Sequence, residues 1–359
     1  MSFDPKYTIT RDILSNLAKI ENVRDFFEHN AFSPSLMASL KSTAKIASVH
    51  YSTKIEGNKL THQQVEDAIL KRKKIPYRER DSSEVKAYYK AMDYIEKCLD
   101  KNLPFSEELI KKAHDIVEGC AYPYRDGQNA IYDNASGNIV YVPPEAKDVP
   151  FLMKDLVNWV NANTQIPHVI VSGLVHYQFV TIHPYYDGNG RTARLITSFL
   201  MRKYGYGLNG IYSLEEYYAN DLVEYYDALA THEHHNYYEG RERADLTHWI
   251  DYFVRGVADA FKKIQAHKKT KSDVPSAIRK LDVRQRKTLE LFAEFEEVSS
   301  MQIAEHLSIS QQSGRLLANQ WIETGFLKLS NSSKKARKYR LCEEYEKTFF
   351  DNSSGCSLK

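Results

Sequence analysis

Cysteine is scarce in this chain of 359 residues: four occur, at positions 98, 120, 342 and 356, and none stands in a CxxC spacing. That excludes a disulfide framework and fits a reducing cytoplasm. Charge of one sign is scarce as well, since 49 Lys and Arg against 47 Asp and Glu leave a net +2. A chain-wide electrostatic grip on nucleic acid is therefore excluded, and any basic patch must be local. No uninterrupted apolar run approaches the ~20 residues of a membrane-spanning helix, and the opening MSFDPKYTITRD has no basic stretch leading into an apolar one. The expectation is a cytoplasmic protein, neither secreted nor membrane-bound. What is abundant is tyrosine, with 25 residues, and a length beyond what one core supports, so a main domain and at least one smaller one are expected.

Helical periodicity dominates. Ile46, Val49 and His50 lead into Glu56, and Val85, Tyr88, Tyr89, Met92 and Ile95 recur at three- and four-residue steps. One β-prone stretch interrupts it, QNAIYDNASGNIVYVPP ending at Pro144, which predicts a hairpin turning at Asn134 to Gly137. Helices are predicted again over 149–161, 169–181, 194–204, 214–230 and 244–265. The charged, proline-ended KKIQAHKKTKSDVP predicts a linker, and three further helices followed by GFLKLSNSSKKARKYRL resemble a winged helix-turn-helix domain. The expected layout is a helical region over 1–100, a core over 101–265, a linker over 266–279, the winged-helix domain over 280–350 and a tail over 351–359. The fold class is mainly α, with one short hairpin and the C-terminal wing.

The chemistry is concentrated between His183 and Arg194, in HPYYDGNGRTAR. Gly188 and Gly190 flank Asn189 and permit a turn whose N–H groups point one way, and the helix that follows adds its positive end, which makes an anion cradle. Arg191 and Arg194, three apart in the first turn, oppose the helix dipole unless an anion compensates them. Asp187 is a hard oxygen ligand of the kind that holds Mg²⁺ beside phosphate. His183 is the nearby group able to take a proton at neutral pH.

These residues resemble the Fic motif, HxFx(D/E)GNGRxxR, with Tyr185 in the place of the Phe. The resemblance runs from about Ser83 to Phe253. It implies transfer of AMP from ATP to a Ser, Thr or Tyr hydroxyl of a protein, the chain itself included. His183 would be the base, Asp187 the Mg²⁺ ligand, Gly188, Asn189, Gly190 and Arg191 the α- and β-phosphate site, and Arg194 the γ-phosphate contact. Ile139, Val140 and Tyr141 would form a flap that pins the target by strand addition. Tyr225 and Tyr226 align with adenine-side tyrosines, with core packing as the competing role, and Glu233 stands where an Asn often follows.

Upstream, Glu56 falls at a predicted helix end closed by Gly57, where a carboxylate faces the negative end of the dipole. The segment Ser52 to Gly57 also resembles the Fic inhibitory motif, (S/T)xxxE(G/N), on an inhibitory helix near 44–57, which implies that Glu56 pairs with Arg194 and obstructs the γ-phosphate. In the C-terminal domain Gln311, Gln312, Ser313 and Arg315 would face outward, and five of the seven positions 334–340 are basic, so the partner there is DNA or protein. His232, His234 and His235 read as a solvated loop rather than a metal site. A homodimer is a further expectation. The rivals to AMP transfer are a related phosphate or nucleotide transfer by the same site, and a DNA-binding regulator that uses the core as a nucleotide sensor.

Overall fold

The computed structural model describes residues 3–29, 34–132, 137–268, 281–331 and 337–350. The middle of the hairpin turn, most of the linker, Lys334 and Lys335 of the basic stretch, and the tail lie outside the described residues. The chain divides into two compact units, one made of Met1–Phe27 with Lys45–Ile264 and the other of Glu28–Ala44 with Gln265–Lys359.

The first unit is built from α1 (Arg11–His29), the second half of α2 (Pro34–Ile55), α3 (His62–Ile69), α4 (Glu79–Asp100) and α5 (Glu107–Glu118). A hairpin follows, β1 (Ile131–Tyr132) and β2 (Ile139–Tyr141), and then α6 (Val149–Ala162), α7 (His168–Ile182), α8 (Asn189–Lys203), α9 (Leu214–Asn220), α10 (Leu222–Leu229) and α11 (Thr247–Lys268). The ends follow from local chemistry. Thr61 and Gln64 form a capping box that starts α3, the Ser106 hydroxyl accepts from Leu109 N–H at the start of α5, and Gly119 stops α5 in the left-handed conformation. The predicted helix 214–230 is two helices, because the Asp221 side chain accepts from Glu224 N–H and starts a new one.

α7 sits at the centre: every residue in it except His168 and Val180 is buried. A helix apolar all round is a core helix, and each Val, Leu, Ile or Phe it buries contributes about 1.5–3 kcal/mol. Its neighbours α6 and α8, together with α2, α3, α4 and α5, share one cluster that includes Val49, Val85, Tyr88, Ile110, Leu156, Phe179 and Phe199. Helices on both sides of residue 100 thus form a single body. α7 packs along α8, and residues 183–188 form the short loop between them.

The second unit takes the first half of α2 and adds α12 (Val283–Glu294), β3 (Val298–Ser299), α13 (Ser300–His306), α14 (Gln311–Glu323), β4 (Leu327–Asn331), β5 (Lys338–Leu341) and α15 (Glu343–Phe350). Its sheet has the order β3-β5-β4, antiparallel throughout. Ala38 of α2 packs in the same cluster as Leu289, Phe292, Trp321 and Phe326, and Lys41 pairs with Glu290 at 3.1 Å. That α2 is divided between the units was not apparent from its sequence.

Candidate active site

The loop that carries the motif begins where α7 ends. His183 caps that helix in the left-handed region (φ 51°), its N–H bonded to the Phe179 carbonyl at 3.0 Å, and this turn swings the imidazole out of the helix line. Nδ1 lies 3.3 Å from the Val180 carbonyl. A carbonyl can only accept, so Nδ1 carries the proton and the lone pair is on Nε2. Burial lowers the His183 pKa to about 4, and Arg125 contributes in the same direction. The ring is therefore neutral at pH 7, the state a general base requires.

Arg125 fixes the backbone of this turn. Its Nε donates to the His183 carbonyl at 2.8 Å, and its terminal nitrogens donate to the carbonyls of Gly127, Pro144 and Ile182. It is buried, no carboxylate pairs with it among the described residues, and burial pulls its pKa down. Four carbonyl acceptors replace a counter-ion.

α8 opens at Gly188 (φ 72°). The first helical bond is from Thr192 N–H to the Gly188 carbonyl at 2.9 Å, so the N–H groups of Asn189, Gly190 and Arg191 have no acceptor within the helix. The Asn189 side chain turns inward and staples the loop, with Nδ2 donating to the Tyr185 carbonyl at 2.8 Å and Oδ1 accepting from Tyr185 N–H at 3.0 Å. Asn189 therefore offers an anion its backbone, not its amide. Arg191 is buried beside it. One guanidinium nitrogen lies 3.0 Å from Glu118 Oε1 and 3.2 Å from Asp187 Oδ1, while Nε is buried without a partner. Burial raises the Glu118 pKa, as do Asp187, Glu84 and Glu56, with Arg191 acting against them.

Arg194 projects to a different place from Arg191. Its Nε donates to the Ser52 hydroxyl at 2.8 Å and its NH2 to the Ser52 carbonyl at 2.9 Å and to Glu56 Oε1 at 2.7 Å. Burial pulls the guanidinium pKa down, but Glu56, Tyr225 and Tyr88 outweigh it and the net shift is upward. Behind it, buried His176 bonds Thr197 Oγ1 through Nδ1 at 3.1 Å and the Tyr225 hydroxyl through Nε2 at 2.9 Å, and burial takes its pKa to about 3.

The structure brings His183, Asp187, the glycine turn, Arg191 and Arg194 together on consecutive elements, and adds Ser52 from α2 and Glu56 just beyond its end, where Gly57 (φ 92°) completes the turn. Tyr225 is buried in an aromatic group with Tyr218 and Trp249, whereas Tyr226 is half-exposed. Ile139 and Val140 are exposed on β2, and Tyr141 anchors the strand by donating its hydroxyl to the Thr181 carbonyl at 2.8 Å. β1 pairs with β2 through Ile131 with Tyr141 and Tyr132 with Ile139. Among the described residues no group of three or more His, Cys, Asp or Glu could hold a metal ion. Asp187, exposed at the cradle rim, suits an ion that arrives with phosphate oxygens supplying the remaining ligands. Glu118, Arg125 and His176 were not found from sequence. For Glu118 a signal existed: it ends a helix before a glycine, as Glu56 does.

Residues 104–201, which hold the glycine turn and both motif arginines, match the model of the Fic/DOC family. Protein adenylyltransferase Fic of Drosophila virilis is 29% identical over 196 residues, covering 53% of this chain and 39% of that protein. The Drosophila willistoni protein of the same name is 30% identical over 178 residues, covering 48% and 35%. The chain thus spans about two fifths of the length of the curated relatives it matches. Among solved structures, a Fic family protein from Desulfovibrio desulfuricans superposes with a TM-score of 0.63 at 24% identity, covering 95% of this chain and 99% of that one. Residues 134–508 of Fic-1 from C. elegans superpose with a TM-score of 0.58 at 25% identity, covering 72% and 74%. Among the described residues no helix is long and apolar enough to cross a membrane.

Proposed function

We propose that this chain transfers AMP from ATP to a hydroxyl of a protein, and that Glu56 restrains the reaction. The observation that carries this reading is the convergence of His183, in the left-handed conformation, with a helix N-terminus that has free N–H groups and two buried arginines in its first turns. Such a site fits a polyphosphate beside a base. The relatives named protein adenylyltransferase Fic, similar over about half of this chain, support the same chemistry.

In this reading His183 Nε2 takes the proton of the target hydroxyl, whose oxygen attacks the α-phosphorus. The new O–P bond forms as the bond to the β-phosphate oxygen breaks, and pyrophosphate leaves with the electron pair. The N–H groups of Asn189, Gly190 and Arg191 and the Arg191 guanidinium hold the α- and β-phosphates, and Gly188 permits the turn. Asp187 would hold Mg²⁺, which would supply charge neutralisation at the phosphates. Arg194, once free of Glu56, meets the γ-phosphate. Tyr226, the more exposed of the two tyrosines, is in this reading the one that meets the adenine. Exposed Ile139 and Val140 offer a strand edge to the target segment.

The second unit is read as a winged helix, on the order α12, β3, α13, α14, β4, β5 with β4 and β5 as the wing. Gln311, Gln312 and Arg315 are exposed on α14, but Lys338 and Arg340 of the wing pair with Glu296 and Glu297, which lessens their pull on phosphate. Mass spectrometry of the intact Glu56→Gly chain after incubation with ATP and Mg²⁺ tests the main reading. A gain of one AMP supports it, a gain of one phosphate assigns the site to phosphate transfer, and no gain with any offered protein sinks both.

A further inference from the structure

α5 and α2 end alike. Glu118 is the last residue of α5 and Glu56 the first beyond α2, and each is followed by a left-handed Gly, Gly119 (φ 78°) and Gly57 (φ 92°). A carboxylate at a helix C-terminus is disfavoured by the dipole, so its own helix does not account for either. Each reaches one arginine of the motif instead. Glu56 Oε1 is 2.7 Å from Arg194, and Glu118 Oε1 is 3.0 Å from Arg191.

Each carboxylate also lies over one glycine of the cradle. A Cβ at Gly190 would stand 2.3 Å from Glu56 Oε1, and a Cβ at Gly188 would stand 2.3 Å from Glu118 Oε1. The two carboxylates therefore press on the turn at its two glycines, where a bound polyphosphate has to approach the backbone. Arg191 Nε and Glu118 Oε1 are both buried without a hydrogen-bond partner, so the two are held together by charge alone and neither saturates the other. The Glu118 side chain is itself only 14% exposed and stands near Asp187, Glu84 and Glu56, a surrounding that does not favour a further anion.

We infer that Glu118 is a second internal competitor of the nucleotide, occupying the Arg191 half of the cradle as Glu56 occupies the Arg194 half. The inference rests on the nucleotide reading given above and deepens it. Its consequence is a division by phosphate. Glu118 contests the phosphates that ADP and ATP share, while Glu56 contests the terminal phosphate that ATP alone carries. Removing either carboxylate takes away a repulsion a few ångströms from a phosphate at a part-buried site, where such interactions remain strong.

The test is calorimetric titration of the full chain with ADP and with ATP, both with Mg²⁺, for wild type, Glu118→Gln, Glu56→Gly and the double variant. Glu118→Gln is expected to tighten ADP and ATP alike, by roughly fivefold or more, a shift of the size one neighbouring charge produces. Glu56→Gly should tighten ATP and leave ADP within about twofold, and in an Arg191→Ala background the Glu118→Gln gain on ADP should vanish. ADP affinity that is unchanged in Glu118→Gln overturns the inference. So does weaker affinity, the result for a residue that only aims Arg191 at the phosphate. Should Glu118→Gln melt early, Glu118→Asp, which draws the charge back by one methylene, must give a smaller gain in the same direction; no gain there counts equally against it. If no variant binds either nucleotide, the nucleotide reading fails and the inference falls with it. A Glu118 failure alone, with Glu56→Gly still favouring ATP, leaves that reading standing.

Discussion

Arg194 and Glu56 lie 138 residues apart in the chain and 2.7 Å apart in the fold, the guanidinium buried and the carboxylate one-third exposed. The arginine does not depend on Glu56 alone, because Ser52 accepts from it through both its hydroxyl and its carbonyl. Removal of Glu56 therefore leaves Arg194 positioned and free to meet an anion.

Glu56→Gly should raise AMP transfer by about tenfold or more at subsaturating ATP, the equivalent of ~1.4 kcal/mol in affinity. Combining it with Arg194→Ala should forfeit the gain, since both changes act on one contact. Transfer rates of wild type and both variants at equal ATP decide this. Equal rates in folded wild type and Glu56→Gly would make Glu56 an ordinary helix end.

His183→Ala should reduce transfer to about a hundredth or less, within the usual contribution of a general base, with nucleotide affinity nearly unchanged. The ring touches no phosphate in the proposed reading. Radiolabel transfer and calorimetry on the same preparation separate the two effects, and ATP binding lost in parallel with transfer would remove His183 from the role of base.

A histidine whose pKa is lowered to about 4 stays neutral until the solution becomes strongly acid. Because kcat/KM reports the free enzyme, its acid limb should be flat from about pH 8 to about pH 6 and fall only towards pH ~4. An unperturbed histidine would give half-loss near pH ~6.5. A midpoint there would show that burial does not control this ring.

Asp187→Ala should leave transfer low and nearly insensitive to Mg²⁺, because the ion then lacks its protein oxygen. A magnesium titration checks it. A wild-type response in the variant would move the metal ligand elsewhere.

Gly188→Ala combines two penalties. The left-handed φ of 72° costs an alanine about 1–2 kcal/mol, and its Cβ would stand 2.3 Å from Glu118 Oε1 and force that side chain away. The melting temperature should fall by roughly 3–8 °C. An unchanged melting curve would mean that the turn adopts another conformation.

Most of the motif was legible because it is contiguous. The order His183, Asp187, two glycines and two arginines dictates a loop opening a helix, and that geometry follows from neighbours in sequence. Tyr225 was not so readable, since an aromatic at helical spacing suits a ligand or a core equally, and only its bond to His176, 49 residues away, shows it buried. The break at Asp221 was missed because apolar periodicity continues across it, although the capping side chain is local.

The sequence by itself determined the glycine turn that opens α8, the place of His183 just before it and the glutamate at the end of α2, since these rest on backbone preferences acting over a few residues. Tertiary structure alone decided that Asn189 turns inward, that Arg125 carries the His183 backbone from 58 residues away, and that Glu118 rather than solvent faces Arg191 from 73 residues away. Glu56-Gly57 and Glu118-Gly119 share one local signature, a misplaced carboxylate before a left-handed stop. Which cation each one meets is set by how α2 and α5 pack against α8, and packing depends on the whole core rather than on either segment.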